Sequence, residues 1–380
     1  MSHRFIPSLP TLDLRVALRR PATPWRRWPG LEHGRVQLFF LARAGVYRAV
    51  RHFLAGRSGV VLMPAYHHGV EVEAVRAAGA AVRFYRVGDD LGVDLDDLRA
   101  KLQAPDVRVV YLIHYAGVPQ PIAEVAALAR ARGLPLFEDC ALSLFSSNAA
   151  GVPLGTTGDA ACYCLYKTLP VPHGGLLRAP AELADEPGAP PPLLSTLHHA
   201  AGLVLADLEL RAPGVGRGLR ALARGVSRRT LDALVENVRT GTMHLEPREL
   251  ELGASAVVDY LLARFDPDEV ITRRRQNFTR LAAALDGVVP VIGAPLAPGV
   301  CPLFLPVRVA EKPRLVSALR ARGIDAIDFW SSGDPAAGAS AFPEVAQLRR
   351  ELLELPCHQA LDEDDVAAVA EAVRATVRGR

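Results

Sequence analysis

Lysine is almost missing from this 380-residue chain: of 44 lysines and arginines, only Lys101, Lys167 and Lys312 are lysines. Arginine has taken nearly every generic positive position, so a lysine in apolar surroundings suggests a need for an amine that can lose its proton, which arginine cannot do. Cysteine is also scarce. The five present (Cys140, Cys162, Cys164, Cys301 and Cys357) are an odd count without paired zinc spacing, which argues for a reduced, cytoplasmic protein rather than a disulfide framework. Cys162 and Cys164 share one face of a strand, which leaves metal binding open as the minor reading, but no metal site is expected. Long apolar runs are lacking: a typical candidate, Ala200 to Ala206, is cut short by Asp207 and Glu209, and the N-terminal stretch has no signal-peptide core. Stable membrane insertion is therefore not expected. Nor is there a basic block, because the net charge of +3 comes from scattered arginines and short runs such as Arg273-Arg274-Arg275. That pattern leaves no nucleic-acid footprint.

What the chain does have is concentrated between Pro135 and Gly175. An apolar run, Leu134 to Phe137, ends abruptly in Glu138 and Asp139; a glycine-rich stretch with Gly151, Gly155 and Gly158 follows; a second apolar run ends in Lys167. An acid at the end of one buried strand and a lysine at the end of the next are what a pyridoxal phosphate enzyme needs. The lysine forms a Schiff base, and the carboxylate keeps the ring nitrogen protonated. The residues alone leave a second reading, in which Lys167 is a strand-end lysine reaching for solvent.

Around this stretch, strand-patterned and helix-patterned segments alternate: strands near Val60–Leu62, Ala81–Val87 and Val107–Ile113, with helices at Val70–Ala78, Leu95–Leu102 and Ile122–Ala131. Such repetition predicts an α/β fold with a mostly parallel sheet covered on both faces, its ligands lying outside the carboxyl ends of the strands. Four divisions are expected. Residues 1–30 form a proline-rich surface arm, which either crosses to a partner or is an irregular tether; 31–180 form the large domain. Residues 181–245 form a helical insertion packed on the large domain or a neighbouring subunit, and 246–380 a smaller C-terminal α/β domain. Between Val36 and Leu54 the apolar spacing is helical, with a start near Arg43.

The segments VVYLIHYAGVPQPIAEVAALARARGLPLFEDCA, LGTTGDAACY, the Gly-Gly pair after the lysine and LLELPCHQALDEDDVAAVAEAV, in this order, resemble the DegT-type sugar aminotransferases. These are fold-type I pyridoxal phosphate enzymes acting mostly on nucleotide-linked keto sugars. The resemblance implies Lys167 as the Schiff-base lysine and Asp139 as the partner of the ring nitrogen. It places the cofactor phosphate at Ala44 and Gly45, where Ala44-Gly45-Val46 replaces the usual Ser-Gly-Thr, with Arg43 as a substitute anion contact and Cys164 at a phosphate-side serine position. His68 takes the ring-stacking position, or else caps a helix together with His67. Tyr66, His67, His114, His173 and Trp330 are candidate substrate contacts, with a turn histidine and a packed tryptophan as the plainer readings of His114 and Trp330. Leu142 stands where the family often has a glutamine, and KTLPVPHGG replaces the common Ser-Lys-Asn, as in a divergent Lys-x-Leu-Pro branch.

The expected activity is transfer of an amino group from an amino-acid donor to a keto acceptor, a nucleotide-linked keto sugar by resemblance, in a cytoplasmic homodimer. Leu142, Val46 and the insertion also motivate a pyridoxal phosphate lyase, decarboxylase or condensing enzyme. A non-catalytic binding module is a third reading, opposed by the retention of both Asp139 and Lys167.

Overall fold

The computed structural model describes the chain except for residues 1–3, 22, 33, 180–182, 184–186, 226–241, 243 and 379–380. Among the described residues, seven strands form one sheet in the order β1-β7-β6-β5-β4-β2-β3. They are β1 (Arg35–Phe39), β2 (Val60–Pro64), β3 (Ala81–Tyr85), β4 (Val107–Ile113), β5 (Leu136–Asp139), β6 (Ala160–Cys164) and β7 (Gly175–Ala179). β2 to β6 pair in parallel, whereas β7 runs antiparallel to both β6 and β1. The wholly buried patterns of β2, β5 and β6 reflect a sheet covered on both faces.

This topology brings the carboxyl ends of β1, β2, β4, β5 and β6 to one edge. Helix α2 (Ala42–Leu54) begins there, just after β1. Val36 to Phe39 precede the helix, whose start at Ala42 agrees with the one expected near Arg43: Val36, Gln37 and Leu38 register against Arg178, Leu177 and Leu176 of β7, so the apolar spacing before Arg43 belongs to a strand. The chain switches direction across the sheet between β2 and β4, the kind of place where open α/β sheets bind ligands.

The proline-rich beginning is more than an extended surface arm. It holds a short helix, α1 (Leu14–Leu18), and a 3-10 turn at Trp25–Arg27. Trp25 and Trp28 are buried with Leu144, Phe145, Leu261 and Leu262, and Ile6 bridges Ile324. Large aromatic area is worth a few kcal/mol when buried, which outweighs the extended preference of the prolines. Of the 181–245 stretch, helices α7 (Leu193–Arg211) and α8 (Pro213–Gly225) are described, packed on one another, and Thr11 donates to Asp207 at 2.7 Å. The remainder of that expected insertion lies largely outside the described residues.

Beyond residue 246 the packing does not divide at one point. The helix at Ala256–Leu262 joins the cluster on the large sheet, while β8 (Leu305–Arg308) pairs antiparallel with β9 (Leu352–Leu355). Around this pair the helices Pro267–Ala284, Lys312–Ala321 and Glu363–Arg378 enclose a second core. Nearby, Ile324 and Ile327 make only single bridges, to Ile6 and to Glu354.

Two buried histidines stay neutral in this fold. Burial pushes His358 down to about 3, aided by the Arg274 charge and opposed by its bond to the Pro7 carbonyl; burial and His199 push His173 to about 3. The unfolded chain binds these protons near pH 6.5, and the folded chain only near pH 3. Their stabilising contribution is thus complete above pH 6.5 and lost as pH falls toward 3. His358→Gln should therefore flatten the decline in thermal midpoint between pH 7 and pH 4 relative to the parent; an unchanged slope would contradict this account.

Candidate active site

β5 presents its two terminal acids to opposite faces of the sheet, as strand geometry requires. Glu138 faces away from the strand-edge pocket and is saturated. Its Oε1 accepts from the amides of Thr157 (2.9 Å) and Gly158 (2.5 Å), and its Oε2 accepts from the Gly155 amide (2.9 Å) and His114 Nε2 (3.1 Å). Because the Gln120 amide donates to His114 Nδ1 at 3.0 Å, the His114 proton sits on Nε2. Burial disfavours the Glu138 charge, yet His114 and the amides outweigh it and hold the carboxyl below its usual range. His114, a candidate substrate contact, is therefore a structural histidine. Cys140 lies close enough to complete a potential His114–Glu138–Cys140 metal triad. Burial pushes its thiol well up and the other two members are already satisfied, so the group behaves as a hydrogen-bonded network.

Asp139 faces the other way, into a pocket whose walls include Leu41, Ala42, Arg43, His68, Lys167 and Trp330. Tyr111 donates to its Oδ2 at 2.6 Å, the Ala141 amide to its Oδ1 at 2.8 Å, and Cys162 Sγ lies 3.6 Å from Oδ1. Burial, reinforced by the nearby Glu71 charge, raises the Asp139 carboxyl despite Tyr111, the amide and Lys167. A cation in direct contact would restore its charge.

Lys167 sits in α6 (Leu165–Thr168), a single helical turn following β6. Fully buried Arg274 holds that turn, donating to the carbonyls of Thr168 (2.9 Å), Pro302 (3.1 Å) and Leu303 (2.7 Å), while Gln359 donates to Thr168 at 2.9 Å. The backbone is thus fixed, and among the described residues no hydrogen bond or ion pair engages the Lys167 ammonium.

His68 lines the same pocket. Glu71 clamps its turn, with Oε1 accepting from the His68 amide (2.8 Å) and Oε2 from the Gly69 amide (3.1 Å). Burial lowers the His68 imidazole, opposed by Glu71, and its buried Nδ1 has no protein partner among the described residues. The sequence reading missed Glu71. The signal was available in its placement three residues after His68, the offset of a side chain reaching back to cap a helix start.

Other candidates fall elsewhere. His67 is stacked on Phe84 (4.7 Å between centroids) and is bonded through Nδ1 to the Pro64 carbonyl and through Nε2 to the Asp334 amide. Tyr66 is buried outside the pocket lining, its hydroxyl donating to the Phe329 carbonyl at 3.2 Å. His173 is buried against Phe40 and bonds Ser255 at 2.9 Å. These three are packing residues because each polar ring atom that is bonded finds its partner inside the fold. Ala44 and Gly45 are buried in α2 away from the pocket wall, a Cβ on Gly45 meeting the Leu177 side chain; Leu41, Ala42 and Arg43 form that wall instead. Arg43 is committed: Nη1 donates to Glu249 (3.0 Å), Thr242 Oγ1 (2.9 Å) and the His244 carbonyl (3.1 Å). As an anion contact it would act by its charge and would share its donors. Cys164 and Trp330 do line the pocket, together with Tyr166, Thr242, Leu142 and Val46.

A sequence model of the DegT/DnrJ/EryC1/StrS aminotransferase family matches residues 44–184. Over that stretch, somewhat more than a third of the chain, the sequence is similar to this family. One relative, a dTDP-4-dehydro-2,3,6-trideoxy-D-glucose 4-aminotransferase of Saccharopolyspora spinosa, is 31% identical over 148 residues. That alignment spans 38% of each chain, so the match covers about two fifths of the relative's length. Two solved structures share the fold over nearly their whole length. The aminotransferase TlmJ of Streptoalloteichus hindustanus has a TM-score of 0.67 and 22% identity, covering 100% of this chain and 99% of its own. PseC of Helicobacter pylori, an aminotransferase involved in pseudoaminic acid biosynthesis, has a TM-score of 0.69 and 14% identity, covering 99% and 100%.

The donor set fits pyridoxal phosphate on the chain's own geometry. A lysine without a partner among the described residues, a buried carboxylate short of a cation, a neutral histidine and the opening turn of α2 face one pocket. That turn can approach β7 closely because position 175 is glycine; a Cβ there would collide with the backbone of Leu41 and Ala42. Gly175→Ala should weaken pyridoxal phosphate binding about tenfold or more by displacing the α2 start, measured by absorbance titration of the apoprotein. Glu138→Gln, by contrast, should lower stability by about 2–3 kcal/mol in denaturant unfolding, because three backbone amides lose a charged acceptor.

Proposed function

We propose that the protein is a pyridoxal phosphate-dependent aminotransferase that moves an amino group from an amino-acid donor to a nucleotide-linked keto sugar, working in the cytoplasm as a homodimer. The single observation that carries the reading is the convergence of Lys167 and Asp139 on one pocket at the carboxyl edge of the sheet. The family match and the sugar-modifying relatives support the substrate class.

When bound, the cofactor supplies an electrophilic carbonyl and an electron-withdrawing ring. Lys167 would hold it covalently through Nζ, and the same amine, once released, carries a proton between the two carbons of the amino-transfer reaction. No neighbouring carboxylate neutralises that amine by direct contact among the described residues. Asp139 would pair with the ring nitrogen, and Tyr111 and the Ala141 amide fix the direction of its carboxylate. His68, with its turn pinned by Glu71, would cover the ring as a neutral imidazole. The first turn of α2 and the Arg43 charge would receive the phosphate. Leu142, Val46 and Ile113 give the pocket an apolar wall that keeps water from the reacting carbons.

That apolar wall also favours a second reading, a pyridoxal phosphate lyase or decarboxylase, since Leu142 offers the cofactor no hydrogen bond. One experiment separates the two. The parent protein with pyridoxal phosphate should show a visible absorption band that borohydride fixes on Lys167 and that glutamate bleaches; carbon dioxide release without bleaching would favour the second reading. Lys167→Ala should lose the fixed adduct and reduce amino transfer by about 10³-fold or more. Retained transfer in that variant would overturn the assignment.

A further inference from the structure

The pocket's indole, Trp330, stands in a backbone conformation that its side chain disfavours. Its φ is +43°, the left-handed region, where a bulky residue persists only if its surroundings impose it. Two cations, the buried Lys312 and the half-buried Arg349, do so. Lys312 binds Asp328 (2.5 Å), Ser331 Oγ (3.0 Å) and the carbonyls of Arg349 (2.5 Å) and Leu352 (3.1 Å). Arg349 donates Nη1 to the carbonyls of Trp330 (2.8 Å), His67 (3.1 Å) and Ser332, and Nη2 to that of Ala65 (3.3 Å). No carboxylate pairs with Arg349 among its contacts, and burial lowers its guanidinium from the usual value. Its charge is spent on four carbonyls from two segments, the loop after β2 and the segment from Asp328 to Asp334.

The consequence falls on the site. The loop after β2 carries His68, and the other segment carries Trp330, so one guanidinium ties together two of the rings that line the pocket. The two rings are not equally dependent on it. His68 has a second anchor in Glu71, whereas the Trp330 carbonyl is held by Arg349 and its ring by Tyr66 (5.4 Å), Tyr115 (5.7 Å) and Phe329 (4.6 Å). Without the clamp, the backbone at residue 330 can relax to negative φ and turn the indole off the pocket.

Resting on the aminotransferase reading above, we propose that Arg349 is a positioning residue for the acceptor side of the site: it fixes Trp330 as the wall against which the acceptor is seated, without touching substrate itself. Position 333 gives an independent handle. Gly333 lies against the guanidinium, so a Cβ there would displace Arg349 while leaving its charge in the protein.

The test uses Arg349→Lys, which keeps the charge but cannot reach four carbonyls as a planar fork does, and Gly333→Ala. Trp330 emission is obtained by subtracting the same variants carrying Trp330→Phe, and its quenching by iodide is measured on the full-length protein without cofactor or substrate. Both variants should raise Trp330 quenching about threefold. With a nucleotide-linked 4-keto-6-deoxyhexose as acceptor, both should raise its KM about tenfold, with kcat and the glutamate half-reaction within about twofold. Unchanged quenching in both natively folded variants would overturn the proposal. So would loss of native circular dichroism in both, which would make Arg349 a structural keystone. Because quenching needs no turnover, failure of the aminotransferase reading leaves this result interpretable, and the reverse also holds.

Discussion

The structure depends on burying two adjacent carboxylates at the end of β5 without letting either act on the other. Strand geometry separates them by sending Glu138 and Asp139 to opposite faces. Beyond that, each face solves a different electrostatic problem. Glu138 is surrounded by three amides and an imidazole N–H, which keep it ionised and tie the Gly155–Gly158 turn and the His114 turn to the strand. Asp139 receives a phenol, an amide and a distant thiol, and burial still raises it. The first carboxylate is complete within the fold. The second is left wanting a cation, and that deficit is what makes its face a site.

The remaining elements can be understood as supports for this deficit. Parallel pairing of β4, β5 and β6 brings Asp139 and the turn after β6 to one edge; the antiparallel return of β7 then places Gly175 where α2 must begin. Arg274, buried beneath α6, fixes the lysine turn through carbonyl oxygens on both sides of it. Arg274, fully buried, and Arg349, half-buried, use the same device: a guanidinium that donates to backbone carbonyls instead of pairing with a carboxylate. Such a group welds separate segments because its five donors point along a fixed plane. Losing one would expose several carbonyls at once, which is why these clamps hold irregular segments more firmly than an isolated surface ion pair could.

What could be read in the sequence was what depends on local pattern. Apolar runs that stop at Asp139 and near Lys167 are strand ends, and strand ends of a parallel sheet share an edge, so both residues were visible as site candidates. The histidines were not separable by that logic. His67 and His68 are neighbours with the same local signal; only Phe84 and the Asp334 amide, distant in sequence, make the first a packing residue and leave the second facing the pocket. His114 and His173 likewise owe their roles to Glu138 and Ser255. The boundary before α2 shows the same limit in backbone form: the apolar spacing runs on from Val36, and what makes Val36 to Phe39 a strand is pairing with one about 140 residues away. Arg43 was legible as a pocket residue, while Glu249, which occupies its fork, was not.

The scarcity of lysine carries less information than it first suggests, and the structure shows why. Lys101 is a half-buried lysine four residues after Asp97, paired with it at 2.7 Å, a position where arginine would serve equally well. Lys312 is buried, but its four oxygen partners surround a compact ammonium, an arrangement that a planar guanidinium could not reproduce. Geometry alone therefore accounts for one of the two lysines that arginine could not replace. Lys167 differs from Lys312 in the decisive respect. Lys312 has every donor satisfied, whereas Lys167 is held through its backbone by Arg274 and, among the described residues, keeps its amine without a partner in the pocket of a carboxylate that lacks a cation. An amine fixed at its root and unpaired at its tip among the described residues contributes nothing to packing that arginine or leucine could not, which supports the chemical role proposed for Lys167.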